Sequence, residues 1–121
     1  MAYPTQQPLG VKYYNAYMVD TGTSTSAYVP GGGRGKVIEV LATVHNTMSG
    51  GDAVFTAKIN GTAMTNGIYT TTAASSSPGY VYSWNPSAAN TFNKGDALEV
   101  ASDGGPNSTT PATFTFVVRE F

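Results

Sequence analysis

The chain's 121 residues fit one domain of ordinary size, and a formal charge of −1, from 6 basic and 7 acidic side chains, leaves nothing to steer it to nucleic acid or an anionic membrane surface. No cysteine is present, which excludes a disulfide scaffold and thiolate metal sites. Charged residues make up only 11% of the chain, less than half of the roughly 25% usual in soluble domains. The exposed surface therefore has to be built from Ser, Thr, Asn and Gly, which favour strands and turns over helix interiors.

The opening MAYPTQQPLG is polar and proline-marked and carries no signal-peptide pattern, so export by a classical signal is not expected. Next, VKYYNAYMV has the β-propensity of a strand, but its tyrosines do not alternate cleanly with period two, and it reads as an arm or an edge strand. TGTSTSAYVPGGGRG comes after it as a turn-rich stretch with little to bury. Residues 1–34 are accordingly expected to form an N-terminal arm and glycine-rich hinge, ahead of a β-sandwich domain at residues 35–121.

PGGGRGK resembles a phosphate-binding loop only superficially. The fingerprint needs Gly where Pro30 stands and Ser or Thr where Val37 stands, and it needs a helix on its C-terminal side. The chain continues instead as KVIEVLATVH, a strand that would place Ile38, Val40, Ala42 and Val44 on one face. In DAVFTAKI, Phe55, Ala57 and Ile59 alternate with Val54, Thr56 and Lys58, and Asn60–Gly61 signals a tight hairpin turn into the next strand. SSSPG breaks the pattern before the short aromatic strand GYVYSW, and residues 85–90 are loop. ALEVAS then turns Leu98 and Val100 inward, DGGPNSTTP is a long turn, and ATFTFVVREF closes the chain with Phe114, Phe116 and Val118 inward and Thr113, Thr115 and Arg119 outward. Six to eight short strands without helical periodicity predict an all-β fold, an antiparallel sandwich of jelly-roll type. Its core should gather Ile38, Val40, Phe55, Ile59, Leu98, Val100, Phe114 and Phe116.

Reactive chemistry has little to draw on. The one histidine, His45, ends a core-type strand, and no G-x-S-x-G elbow is present. Metal binding by imidazole normally recruits more than one histidine, and Asp103-Gly-Gly lacks the alternating acids of a calcium loop. Asp52 and Asp96 succeed glycines in turns, where their side chains hydrogen-bond backbone N–H groups. The chain is thus expected not to be an enzyme and to hold neither metal nor cofactor. Its aromatics are more informative: Tyr80, Tyr82 and Trp84 share one face of YVYSW, which is an interaction strip if outward and core if inward.

Between Gly35 and Arg119 the elements GKVIEV, DAVFTAKINGTAMTNG, NPSAANTFNKGDALEVASDG and PATFTFVVRE succeed one another in an order and spacing that resembles small bacteriophage head decoration (cement) proteins. The resemblance implies a jelly-roll-like module on the outer surface of the phage head, bound to the major capsid protein and stabilising contacts between capsomers. It brings no catalytic residues. Self-association as a homodimer or homotrimer is expected, with neither nucleic acid nor membrane as partner. The contact candidates are Tyr13, Tyr14 and Tyr17 of the arm, Arg34 of the hinge, and Tyr80 and Tyr82 of the strip. The other function class compatible with these aromatics is a carbohydrate- or receptor-binding module of a phage tail or fibre.

Overall fold

The structure, a computed structural model, describes residues 10–121. The expected sandwich is there. Its strands are β1 (Val11–Met18), β2 (Ser24–Pro30), β3 (Gly35–Val44), β4 (Val54–Ile59), β5 (Thr62–Thr70), β6 (Val81–Trp84), β7 (Thr91–Phe92), β8 (Ala97–Asp103) and β9 (Ala112–Glu120), with one turn of 3-10 helix at Ala73–Ser75. One sheet runs β1-β9-β3-β6, with β7 also paired to β3, and the other runs β2-β8-β4-β5. All pairings are antiparallel. Most connections cross from one sheet to the other, and this interleaving of the first and last strands is the jelly-roll arrangement of two Greek keys.

The strand order overturns the expected arm. From Gly10 onward, residues assigned to it are two strands of the sandwich. β1 pairs with β9 from Val11↔Arg119 to Met18↔Ala112, and β2 pairs with β8 from Ser24↔Asp103 to Pro30↔Ala97. Residues 1–9 of that segment lie outside the described residues. The glycine stretch is no hinge either. A Cβ on Gly31 would sit 2.6 Å from the Phe92 ring, and one on Gly35 would sit 2.7 Å from Val118 Cγ1. These glycines let the β2–β3 turn lie flat against buried side chains, which is close packing rather than freedom.

The core holds Val40, Phe55, Leu98, Val100, Phe114 and Phe116 as expected, all fully buried. Phe114 meets Phe55 edge-to-face with centroids 4.9 Å apart, and Phe55 stacks on Trp84 at 6.1 Å. Ile59 is half-buried against this cluster. Ile38 is the exception: a β-bulge between Val37 and Glu39 shifts the strand's phase, so Val37 is buried and Ile38 is only half-buried. Distant side chains hold the bulge. Asn90 Nδ2 donates to the Val37 carbonyl at 2.6 Å, and Asn85 Nδ2 donates to that of Ile38 at 3.0 Å.

Both ends of the sandwich are tied by polar side chains. Asn60 and Gly61 both have positive φ, 50° and 84°, so the β4–β5 hairpin uses the two-residue turn expected of Asn-Gly. Next to it, Asp96 accepts from the Asn93 backbone N–H at 2.8 Å and from Asn60 Nδ2 at 3.0 Å, and these bonds hold its carboxyl below the ordinary value of 3.8. At the opposite end, Asp20 Oδ1 accepts from the N–H groups of Gly22 and Thr110, and Asp103 Oδ1 from those of Val54 and Gly105. The acids with these contacts serve as backbone acceptors.

Deleting residues 1–30 removes the neighbours of β9 and β8 and should leave an insoluble or unfolded chain, measured by solubility and far-ultraviolet circular dichroism. Phe114→Ala should lower unfolding free energy by about 3–5 kcal/mol in denaturant titrations, given its full burial among aromatics. A lowered carboxyl pKa stabilises the fold above the unfolded value and loses that contribution as pH falls through the folded one. Asp96→Asn should therefore be less stable than the parent near neutral pH and converge with it well below 3.8.

Candidate interaction surface

Three inward-facing strands decide which side chains the β1-β9-β3-β6 sheet presents outward. Ala16 and Met18 of β1, Phe114 and Phe116 of β9, and Val40, Ala42 and Val44 of β3 are buried, so their sequence neighbours face out. Cα pairing then sets these outward residues in rows across the sheet. Tyr13 pairs with Val117, which pairs with Glu39. In the next row are Asn15, Thr115, Leu41 and Ser83, and in the one after it Tyr17, Thr113, Thr43 and Val81. Lys36, Arg119 and Glu39 lie at one end of the face. Among the described residues, the two four-residue rows contain no charged side chain.

The polar groups of these rows bind one another. Thr115 Oγ1 donates to Asn15 Oδ1 at 2.7 Å, and Thr113 Oγ1 lies 2.9 Å from His45 Nε2. The His45 ring in turn lies 6.0 Å from that of Tyr17. His45 is thus a surface residue of this face, with a threonine for its hydrogen-bond partner. Tyr13 and Tyr17 project from it at 64% and 59% exposure, and Val81 on the far strand is 50% exposed. The outer face of the other sheet differs in kind. There Glu99 stands between Tyr28 and Lys58 in register and accepts from Ser26 Oγ at 2.7 Å.

The six candidate residues divide. Tyr13 and Tyr17 are together on the uncharged face. Tyr14, on the opposite side of the same strand, is half-buried: its ring meets Phe92 edge-on at 6.3 Å, and its hydroxyl oxygen accepts from the Gly32 N–H at 3.3 Å. It fastens the β2–β3 turn. Arg34 is exposed, with its guanidinium 5.5 Å from the centre of the Phe121 ring, away from the tyrosines. Tyr80 sits at the rim, its ring T-shaped against Tyr82 at 4.9 Å.

Tyr82 is not a contact residue. It is buried, donates its hydroxyl proton to the Thr72 carbonyl at 3.0 Å, and has its hydroxyl pKa raised above 10.0 mainly by that burial. Trp84 is also core: its indole N–H donates to the Gly67 carbonyl at 2.9 Å and its ring stacks on Tyr69 at 5.3 Å. The aromatic strip faces inward because β6 pairs with β3 through Val40↔Trp84 and Ala42↔Tyr82, which puts both rings on the core side.

Sequence reasoning omits Leu41, Thr43 and Val81 from the contact candidates. Their outward parity follows from the inward Val40, Ala42, Val44, Tyr82 and Trp84, but only strand pairing puts them on one face with Tyr13 and Tyr17. No group of three or more His, Asp or Glu side chains suited to a metal ion gathers among the described residues.

No protein-family model matches the chain, and no curated protein does. Solved structures share its fold. A chain of the cyanophage Pam1 capsid asymmetric unit matches 100% of this chain and 93% of its own length, with a TM-score of 0.53 and 14% identity. The catalytic domain of a GH87 α-1,3-glucanase, solved in complex with nigerose, matches 86% of this chain with a TM-score of 0.52 and 8% identity. This chain spans only about a fifth (21%) of the glucanase chain. At such identities the likeness is one of fold, the two-sheet sandwich described above.

Proposed function

We propose that this protein is a bacteriophage capsid decoration (cement) protein, bound to the outer surface of the head, where it stabilises contacts between capsomers of the major capsid protein and associates with its own copies. The observation that carries the reading is the two-way match to the Pam1 capsid chain, 100% of one and 93% of the other. The match there covers nearly all of both chains, whereas this chain spans only 21% of the glucanase chain.

The surface supports the same reading. A cement protein works through contact area, and this chain offers a flat sheet face with exposed tyrosines, which bring large area with few rotamers to freeze. We read the protein as non-catalytic, with Asp20, Asp52, Asp96 and Asp103 engaged as acceptors of backbone N–H groups. The alternative, a carbohydrate- or receptor-binding module of a tail or fibre, has the glucanase fold behind it. The inward turn of Tyr82 and Trp84 counts against it, because that strip would be its stacking platform.

Heads of the phage encoding the chain, assembled without it and then mixed with the purified protein, should bind it in stoichiometric amounts and release DNA at a higher temperature. Sedimentation of the mixture and a dye-based DNA-release melt measure both. Failure to co-sediment, together with binding on a glycan array, would replace this reading with the alternative.

A further inference from the structure

We infer that the outer face of the β1-β9-β3-β6 sheet, uncharged in its two central rows, is where copies of this chain meet, closing a symmetric oligomer through Tyr13, Tyr17, Thr115, Leu41, Thr43 and Val81. This deepens the proposed self-association, on which it rests, by assigning it a face. Three observations on that face point to a second copy as its occupant.

The first is charge. When a surface meets its own copy, any net charge on it meets the same sign, and like charges brought together cost free energy. The central rows of this face have no charge to oppose, whereas the outer side of the other sheet carries exposed Asp103, half-buried Lys58 and, beneath its surface, buried Glu99. A face that docked to a charged shell would need countercharges, and here Lys36, Arg119 and Glu39 are confined to one end.

The second is size. β1, β9, β3 and β6 have 8, 9, 10 and 4 residues, which at a rise of about 3.3 Å and a strand spacing of about 4.8 Å give a face of roughly 500 Å² in projection. Two such faces, whose accessible area exceeds their projection, reach the roughly 1,000 Å² that a specific interface needs. Of the large hydrophobic side chains left exposed, Tyr13, Tyr17 and Val81 stand on this face and Val11 at its charged end, whereas Tyr28 and Ile68 stand on the outer face of the other sheet.

The third is desolvation. Burying a hydroxyl or amide without a partner costs free energy. The Asn15–Thr115 and His45–Thr113 pairs hold part of the face's polar capacity internally. The remaining hydroxyls, those of Tyr13, Tyr17, Thr43 and Ser83, both donate and accept, so a second copy of the same face can pair with them.

The test uses the full-length purified chain. Sedimentation velocity should show two or three chains per particle, and Tyr17→Lys and Thr115→Lys should each weaken association at least tenfold with unchanged circular dichroism. Ile68→Lys, on the opposite sheet, should leave the mass unaltered. Because the chain has no cysteine, single-cysteine variants give a second readout that keeps the fold. Val81→Cys should react with maleimide at least tenfold more slowly than Ile68→Cys. A monomeric parent chain, or equal reactivity of the two cysteines in an oligomer, overturns the assignment. So does a Tyr17→Lys protein that keeps its mass and loses only its binding to heads, for the face would then belong to the capsid. An oligomer broken by Tyr17→Lys in a chain that never binds heads supports the face and strikes the decoration reading alone.

Discussion

The pairing of β9 with both of its neighbours is the constraint on which the rest of this structure depends. Phe114 and Phe116 must point into the sandwich, and Thr113 and Thr115, between and beside them, must then point out. Because β1 pairs with β9 on one side and β3 on the other, that parity passes across the sheet through Ala16↔Phe114 and Ala42↔Phe114. A slip of one residue would exchange the core with the uncharged exterior, so burial of the phenylalanines also fixes the composition of the outer face. The interaction surface is in this sense a by-product of the core.

The loops at the end holding Asp20 and Thr110 solve another problem, since long connections without helices leave many backbone groups to satisfy. Here short polar side chains do it: Ser76 Oγ accepts from the Met48 N–H, Thr71 Oγ1 from that of Ala53, and Asp52 from that of Ala73. Such bonds link β3–β4 to β5–β6, while Ser108 accepts from the Ser49 N–H and brings in the β8–β9 loop. The abundance of Ser and Thr in the chain is thus partly internal, spent on backbone groups rather than on water.

Much of this is legible from local pattern. The alternation of ATFTFVV, the Asn60–Gly61 turn and the inward Leu98 and Val100 depend on neighbours within a few residues, and all are as expected. The misreadings come from distant partners. Nothing in KVIEVLATV indicates the bulge at Ile38, because Asn85 and Asn90 hold it from far along the chain. The tyrosines of β1 fail to alternate by hydrophobicity since Tyr14 packs on Phe92 while Tyr13 faces water, so the pattern of a strand looks like that of an arm. Gly31 and Gly35 suggest flexibility only until Phe92 and Val118 are seen to lie against them. For the contact surface, Tyr13 and Tyr17 are readable by residue type, but the far half of the face, Leu41, Thr43 and Val81, is visible only through strand pairing.

The Glu120 N–H donates to the Gly10 carbonyl at 3.2 Å, and Lys12 Nζ lies 3.2 Å from Glu120 Oε2. Gly10 and Glu120 therefore lie side by side where β1 and β9 meet. A ring closed there by a short linker from Phe121 to Gly10 would disturb no strand, and its new opening has a natural place at Asn60–Gly61, where a Cβ on Gly61 meets nothing within 4 Å. Such a permuted chain would carry its ends at the tip of the β4–β5 hairpin. Cargo fused to those ends would then project from the opposite sheet, clear of the uncharged face.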